Sequence, residues 1–135
     1  MSDKNFIGGE FIDSSSGQTD EVVNPATGEI IANVPSSNSA GADLAVSKAK
    51  EAFGKWSNTT PRERSEKLLA LADVIEKNID ELKAIESKNV GKPVSIIDFE
   101  FDLTVDNLRF FAGATRTMST QGAGEYLEDH TSYLR

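Results

Sequence analysis

The 135-residue chain has no cysteine and a single histidine, His130. The first absence removes disulfides, thiolate metal ligands and a cysteine nucleophile from these residues. The second leaves little for acid–base catalysis near neutral pH, where imidazole is the usual agent. His130 has no serine or cysteine in a plausible triad arrangement, so it reads as a surface or interface group. Basic residues are also in deficit, with Lys+Arg 14 against Asp+Glu 22 and a net charge of −8. Nucleic-acid affinity depends on lysine and arginine releasing counterions from phosphates, so DNA and RNA are excluded as expected partners. No run approaches the roughly 20 apolar residues that span a bilayer. The opening "MSDKNFIGGEFID" lacks the apolar core of a secretory signal. These features predict a cytoplasmic protein with no membrane partner.

What is present is well punctuated. "NFIGGEFID" sets Phe6–Ile7 and Phe11–Ile12 around Gly8–Gly9, a hairpin signal because tight hairpin turns need positive φ. "SSSGQTD" is a polar loop. "EVVNPATGEIIANVP" places two β-capable runs around a turn at 24–28, with Pro35 expected to end the second. From Ser39 the apolar period changes to that of a helix, with Ala45, Ala49, Ala52, Phe53 and Trp56 on one face. Thr60–Pro61–Arg62–Glu63 is a capping box with proline at the first helical position. It better explains the Asn58–Thr59–Thr60 triplet than glycosylation does. Leu68, Leu69, Leu71, Ala72 and Ile75 follow as an apolar stripe. A further helical piece, 79–90, is closed by Gly91 and Pro93.

A third helical region is expected over 94–118, with Leu103, Leu108, Phe110, Phe111 and Ala114 as its buried side. Asp98, Glu100, Asp102 and Asp106 make its first half acidic, the ordinary reading being a solvated helix start. "STQGAG" breaks this helix. The closing "EYLEDHTSYLR" alternates like one strand, which requires a pairing partner beyond these residues. "GGE" and "GAGE" lack the strand–loop–helix setting of a phosphate cradle and read as turns.

In this order, several of these stretches resemble the N-terminal segment of the NAD(P)-dependent aldehyde dehydrogenase superfamily. "FIGGEFID" is similar to its opening hairpin and "VVNPATGEIIANVP" to its Asn-Pro-x-Thr-Gly-Glu turn. "AVSKAKEAFGKWSNTTPRERSEKLLALADVIEKN" resembles the helix pair that follows, "ESKNVGKP" the helix exit and "NLRFFAGATR" the next helix. "GEYLEDHTSYLR" resembles the strand entering the oligomerisation sheet. Within the superfamily the likeness is to the aminobutyraldehyde and betaine aldehyde group.

The resemblance implies an α/β parent fold. Residues 1–123 would supply the first part of the cofactor-binding domain and 124–135 the start of the oligomerisation strand, the catalytic domain lying outside this chain. It implies oxidation of an aldehyde with NAD or NADP. A cysteine thiolate attacks the carbonyl, hydride passes to nicotinamide, and a glutamate-activated water hydrolyses the thioester. In the family all these groups lie after the position of Arg135. No catalytic or cofactor-binding residue is therefore expected here, and the chain alone should be inactive and bind no cofactor. Its partners would be the remainder of the same polypeptide, other subunits of a homo-oligomer and a small aldehyde.

By position, the resemblance assigns a monovalent-cation site to Val22, Val23 and Asn89, where many members carry aspartate in place of Asn89. It assigns the mouth of the substrate passage to Glu100, Asp102 and Leu103. Carboxylates there would attract a substrate ammonium. The competing reading is a free-standing helical binding or regulatory module derived from the same family.

Overall fold

The computed structural model describes residues 4–117 and 123–133. It consists of three antiparallel hairpins and four helices, in the order β1 (Asn5–Ile7), β2 (Glu10–Ile12), β3 (Gln18–Val23), β4 (Ile30–Ser36), α1 (Ser39–Trp56), α2 (Pro61–Lys77), α3 (Ile79–Val90), α4 (Val94–Thr117), β5 (Ala123–Leu127) and β6 (His130–Tyr133). These form two units, Met1–Asn58 with Glu86–Gly91, and Thr59–Ile85 with Lys92–Arg135. No helix among the described residues is long and apolar enough to cross a membrane.

In the first unit Gly8 and Gly9 both adopt positive φ, 65° and 89°. Phe6 is thereby set opposite Phe11, with ring centroids 5.0 Å apart. The hairpin tip lies on α1, since a Cβ on Gly8 would fall 3.3 Å from Lys48 Cδ. β3 and β4 turn through Asn24–Glu29, where the Asn24 carboxamide oxygen accepts from the Ala26 N–H at 2.9 Å and the Asn24 carbonyl from Gly28 at 2.8 Å. Pro35 does not end β4: it pairs with Thr19, and the strand continues to Ser36. A two-stranded ribbon leaves one side of each strand outside the ladder, and proline is tolerated there. The Asn38 side chain caps α1 by accepting from Gly41 N–H at 3.2 Å. Of the expected α1 face, only Ala45 is half-buried; Ala49, Ala52, Phe53 and Trp56 are exposed.

In the second unit the capping box forms as the sequence predicts. Glu63 N–H donates to Thr60 Oγ1 at 3.3 Å, and Thr60 N–H donates to Glu63 Oε2 at 2.6 Å. The core is the seam between α2 and α4. From α2 it takes Ser65 and Ala72, buried, with Leu68 and Ile75 half-buried; Leu69 and Leu71 point away. From α4 it takes Ile97, Val105 and Ala112, buried, with Phe101 and Leu108 half-buried. The expected buried side of α4 is thus corrected. Leu108 and Ala114 are half-buried, but Leu103, Phe110 and Phe111 are exposed. The seam follows helical spacing through 97, 101, 105, 108 and 112, and these positions include the small Ala112, which permits close approach. Phe99, Phe110 and Phe111 lie off it.

The closing alternation is two strands rather than one. β5 and β6 pair with each other, Leu127 opposite His130, across a corner where Asp129 adopts φ 63°. Aspartate tolerates the left-handed region, so a two-residue turn forms without glycine. Each of the two strands thus finds one partner within the chain. Of the expected break at 119–124, positions 119–122 lie outside the described residues, whereas Ala123 and Gly124 begin β5.

Candidate functional site

The acidic half of α4 begins where Gly91, at φ 67°, ends α3 and Pro93 opens the next turn, its carbonyl accepting from Ile96 N–H at 3.0 Å. Two of its four carboxylates hold neighbouring lysines. Asp98 holds Lys83 at 2.9 Å, and that hydrogen bond raises the lysine above its ordinary range. Glu100 accepts from Lys92 Nζ at 2.5 Å. Asp102 lines a pocket of about 250 Å³ with Glu76, Ile79, Val105, Asp106 and Arg109. Leu103 is exposed. With about 100° of rotation per residue, Glu100 and Leu103 share a flank while Asp102 lies nearly opposite Glu100. The structure therefore does not bring the two expected ammonium-binding carboxylates together.

Arg109 has a role the sequence reading missed. Its Nη1 donates to Glu76 Oε1 at 3.0 Å, and its Nη2 donates to Glu76 Oε2 at 2.5 Å and to Asp73 Oδ1 at 3.3 Å. The hydrogen bonds with Glu76 and then Asp73 raise the guanidinium pKa further. A fork meeting two carboxylates from the facing helix positions α4 on α2 and neutralises part of the pocket wall. The available signal was the pair Asp73 and Glu76, three residues apart on one helix, with a single arginine in the middle of another apolar helix.

The three residues expected at a cation site all belong to the first unit. Val22 and Val23 flank a register shift in β3, an irregularity that disrupts the ladder locally. Asn89 is exposed in the last turn of α3, where helix carbonyls present their negative end. The helix end and the Asn-Pro turn are adjacent, for a Cβ on Gly91 would lie 2.8 Å from Pro25 Cγ. Asn89 brings a neutral carboxamide to that junction, unlike the carboxylates on which divalent cations rely. Among the described residues no three His, Cys, Asp or Glu side chains cluster as metal ligands. His130 is exposed, its Nδ1 2.9 Å from the Glu128 carbonyl oxygen.

The family model described as "Aldehyde dehydrogenase family" matches residues 11–135, and the chain belongs to that family, with its α/β fold. It is 44% identical over 114 residues to aldehyde dehydrogenase 1 of Tanacetum cinerariifolium, which covers 82% of this chain and 23% of that protein. It is 41% identical over 115 residues to malonate-semialdehyde dehydrogenase of Halalkalibacterium halodurans, covering 85% of this chain and 24% of the relative. Among solved structures it is similar to a betaine aldehyde dehydrogenase point mutant of Staphylococcus aureus in complex with NAD+. That match has a TM-score of 0.79 and 30% identity, over 84% of this chain and 23% of the other. The chain thus spans about a quarter of the length of the relatives it matches.

Proposed function

We propose that the chain is the N-terminal portion of an NAD(P)-dependent aldehyde dehydrogenase that oxidises an aldehyde to its carboxylic acid. The observation carrying this reading is the family match over residues 11–135, with relatives named as aldehyde and semialdehyde dehydrogenases. The nicotinamide cofactor, NAD or NADP, would accept the hydride, held outside these residues. Residues 1–123 would belong to the cofactor-binding domain and 124–135 to an oligomerisation element in a cytoplasmic homo-oligomer. Val22, Val23 and Asn89 would hold a monovalent cation, bracing α3 against the Asn-Pro turn.

The substrate we propose is an amino aldehyde of the aminobutyraldehyde or betaine aldehyde kind. Support comes from the betaine aldehyde dehydrogenase match and from relatives such as the 2-aminomuconic semialdehyde dehydrogenase of Bos taurus, 39% identical. Glu100, Asp102 and Leu103 would stand at the mouth of the substrate passage. Asp102 is the better ammonium partner, because Glu100 already holds Lys92.

The test is the intact polypeptide encoded by the reading frame that contains this sequence. With an aldehyde panel and either NAD or NADP, it should form reduced cofactor and carboxylic acid in equal amounts. No cofactor-dependent oxidation of any aldehyde would refute the activity. Turnover of neutral aldehydes alone would refute only the substrate class.

A further inference from the structure

The tip of the first hairpin and one face of α1 bound an open groove of about 520 Å³, a volume within the ordinary range for a small-ligand site. Its floor is helical. Ala45, Ala49 and Ala52 follow at intervals of four and three residues, and their methyl groups leave room that larger side chains would fill. Phe6 and Ile7 supply an apolar wall. The Gly8–Gly9 backbone makes the rim and rests on the stem of Lys48, since a Cβ on Gly8 would lie 3.3 Å from Lys48 Cδ. The charge of the groove is the reverse of the chain's average. Two lysines, Lys48 and Lys55, line it against one carboxylate, Glu51, which leaves one positive charge in excess within a protein of net charge −8. Lys48 holds Glu51 at 3.0 Å, whereas among the described residues no carboxylate pairs with Lys55. Carboxylates elsewhere oppose an anion here only weakly, because salt screens exposed charges beyond about 8 Å.

We propose that this groove binds a small amphipathic monocarboxylate, with its carboxylate on the Lys55 ammonium and its hydrocarbon part over the alanine floor against Phe6. Charge complementarity selects the occupant. One anionic group balances the excess positive charge, a cation adds to it, and a polyanion brings a further negative charge towards Glu51. The apolar floor and wall select the rest of the molecule. An inorganic anion would leave Phe6 and the three alanines in water, whereas a hydrocarbon chain removes their apolar surface from it. From Ala45 to Lys55 the helix rises about 15 Å, so a short alkyl chain fits along its length.

Octanoate is the probe, and the intact polypeptide that contains this sequence is the sample. With acetic anhydride labelling read by mass spectrometry, Lys55 should react readily alone and several-fold more slowly with octanoate present. The exposed Lys77 on α2 should react equally in both. Octanamide, of the same length but uncharged, separates the two contributions in calorimetry. Lys55→Gln should raise the Kd of octanoate several-fold and leave that of octanamide unchanged, and Ala49→Phe, which fills the floor, should weaken both. Equal labelling of Lys55 with and without millimolar octanoate would overturn the proposal. So would a Lys55 already unreactive without octanoate, which would show that protein covers the groove. Octanoate affinity insensitive to both variants would place its binding elsewhere and overturn the site, and an equal loss of octanoate and octanamide in Lys55→Gln would overturn the ion pair. Binding requires no turnover, so each outcome holds whether or not the intact polypeptide oxidises an aldehyde.

Discussion

Gly91 and Pro25 approach so closely that no side chain fits between them: a Cβ at Gly91 would lie 2.8 Å from Pro25 Cγ and 3.4 Å from the Ala26 nitrogen. The same glycine has φ 67° and donates its N–H to Ser87 O at 2.9 Å, closing α3. One residue thus meets two demands, a left-handed helix end and contact with the Asn-Pro turn. Gly91→Ala should cost about 1–2 kcal/mol from the backbone alone, with the collision in addition. Denaturant unfolding of G91A, P25A and the double variant checks this. The double variant should recover the collision part and keep the backbone part.

The capping box makes the stability of α2 pH-dependent. Hydrogen bonds from Thr60, backbone first and then side chain, hold the Glu63 carboxyl below its ordinary value. A depressed folded-state value means a contribution fully present above the unfolded value, lost as pH falls through the folded one. Urea midpoints measured from neutral pH down through the carboxylate range should fall less steeply for Glu63→Gln than for wild type. Thr60→Ala should cost about 1 kcal/mol at neutral pH.

Ile97 and Leu103 occupy the same helix in opposite circumstances, the first with no exposure and the second at the surface. Ile97→Ala should cost about 2–5 kcal/mol, the range for a buried aliphatic truncation. Leu103→Ala should change the unfolding midpoint of the 135-residue chain very little. Equal losses in calorimetry would contradict the assignment of the seam.

Arg109 holds two acidic residues of α2 in a fork, and lysine cannot reproduce that geometry. Arg109→Gln should lower the unfolding midpoint modestly, and Arg109→Lys should restore only part of it. Because the group is exposed, added salt should narrow the difference between wild type and variant. A difference independent of salt would point to lost packing of the arginine stem.

Under the proposed activity, Asp102→Asn in the intact polypeptide should raise KM for amino aldehydes and leave neutral aldehydes unchanged. Glu100→Gln should do less, because its ammonium partner is Lys92. Equal effects of Asp102→Asn on both kinds of substrate would remove charge attraction as its role.

Hairpin and helix positions were readable because their signals are local. Gly8–Gly9, Asn24–Gly28, Thr60–Glu63 and Gly91–Pro93 each specify backbone geometry within a few residues. The closing strand was misread because its turn, Glu128–Asp129, carries no glycine and does not interrupt the alternation. The buried side of α4 was misread because two apolar stripes on one helix give the same periodic signal. Periodicity does not say which stripe meets α2.

The site divides in the same way. Glu100, Asp102 and Leu103 stood out as charge and apolar character near a helix start. Their separation around the helix follows from rotation, but the capture of Glu100 by Lys92 follows from where the α4 backbone begins. Arg109 lies more than 30 residues from Asp73 and Glu76 in sequence, and it meets them only because α2 and α4 pack together. The sequence alone determined where the chain turns, caps and stops its helices, since those choices rest on neighbouring dihedrals and hydrogen bonds. Which faces meet, and which carboxylates are neutralised, was decided by the tertiary structure, because helix packing and ion pairing join groups far apart in sequence whose match no local pattern carries.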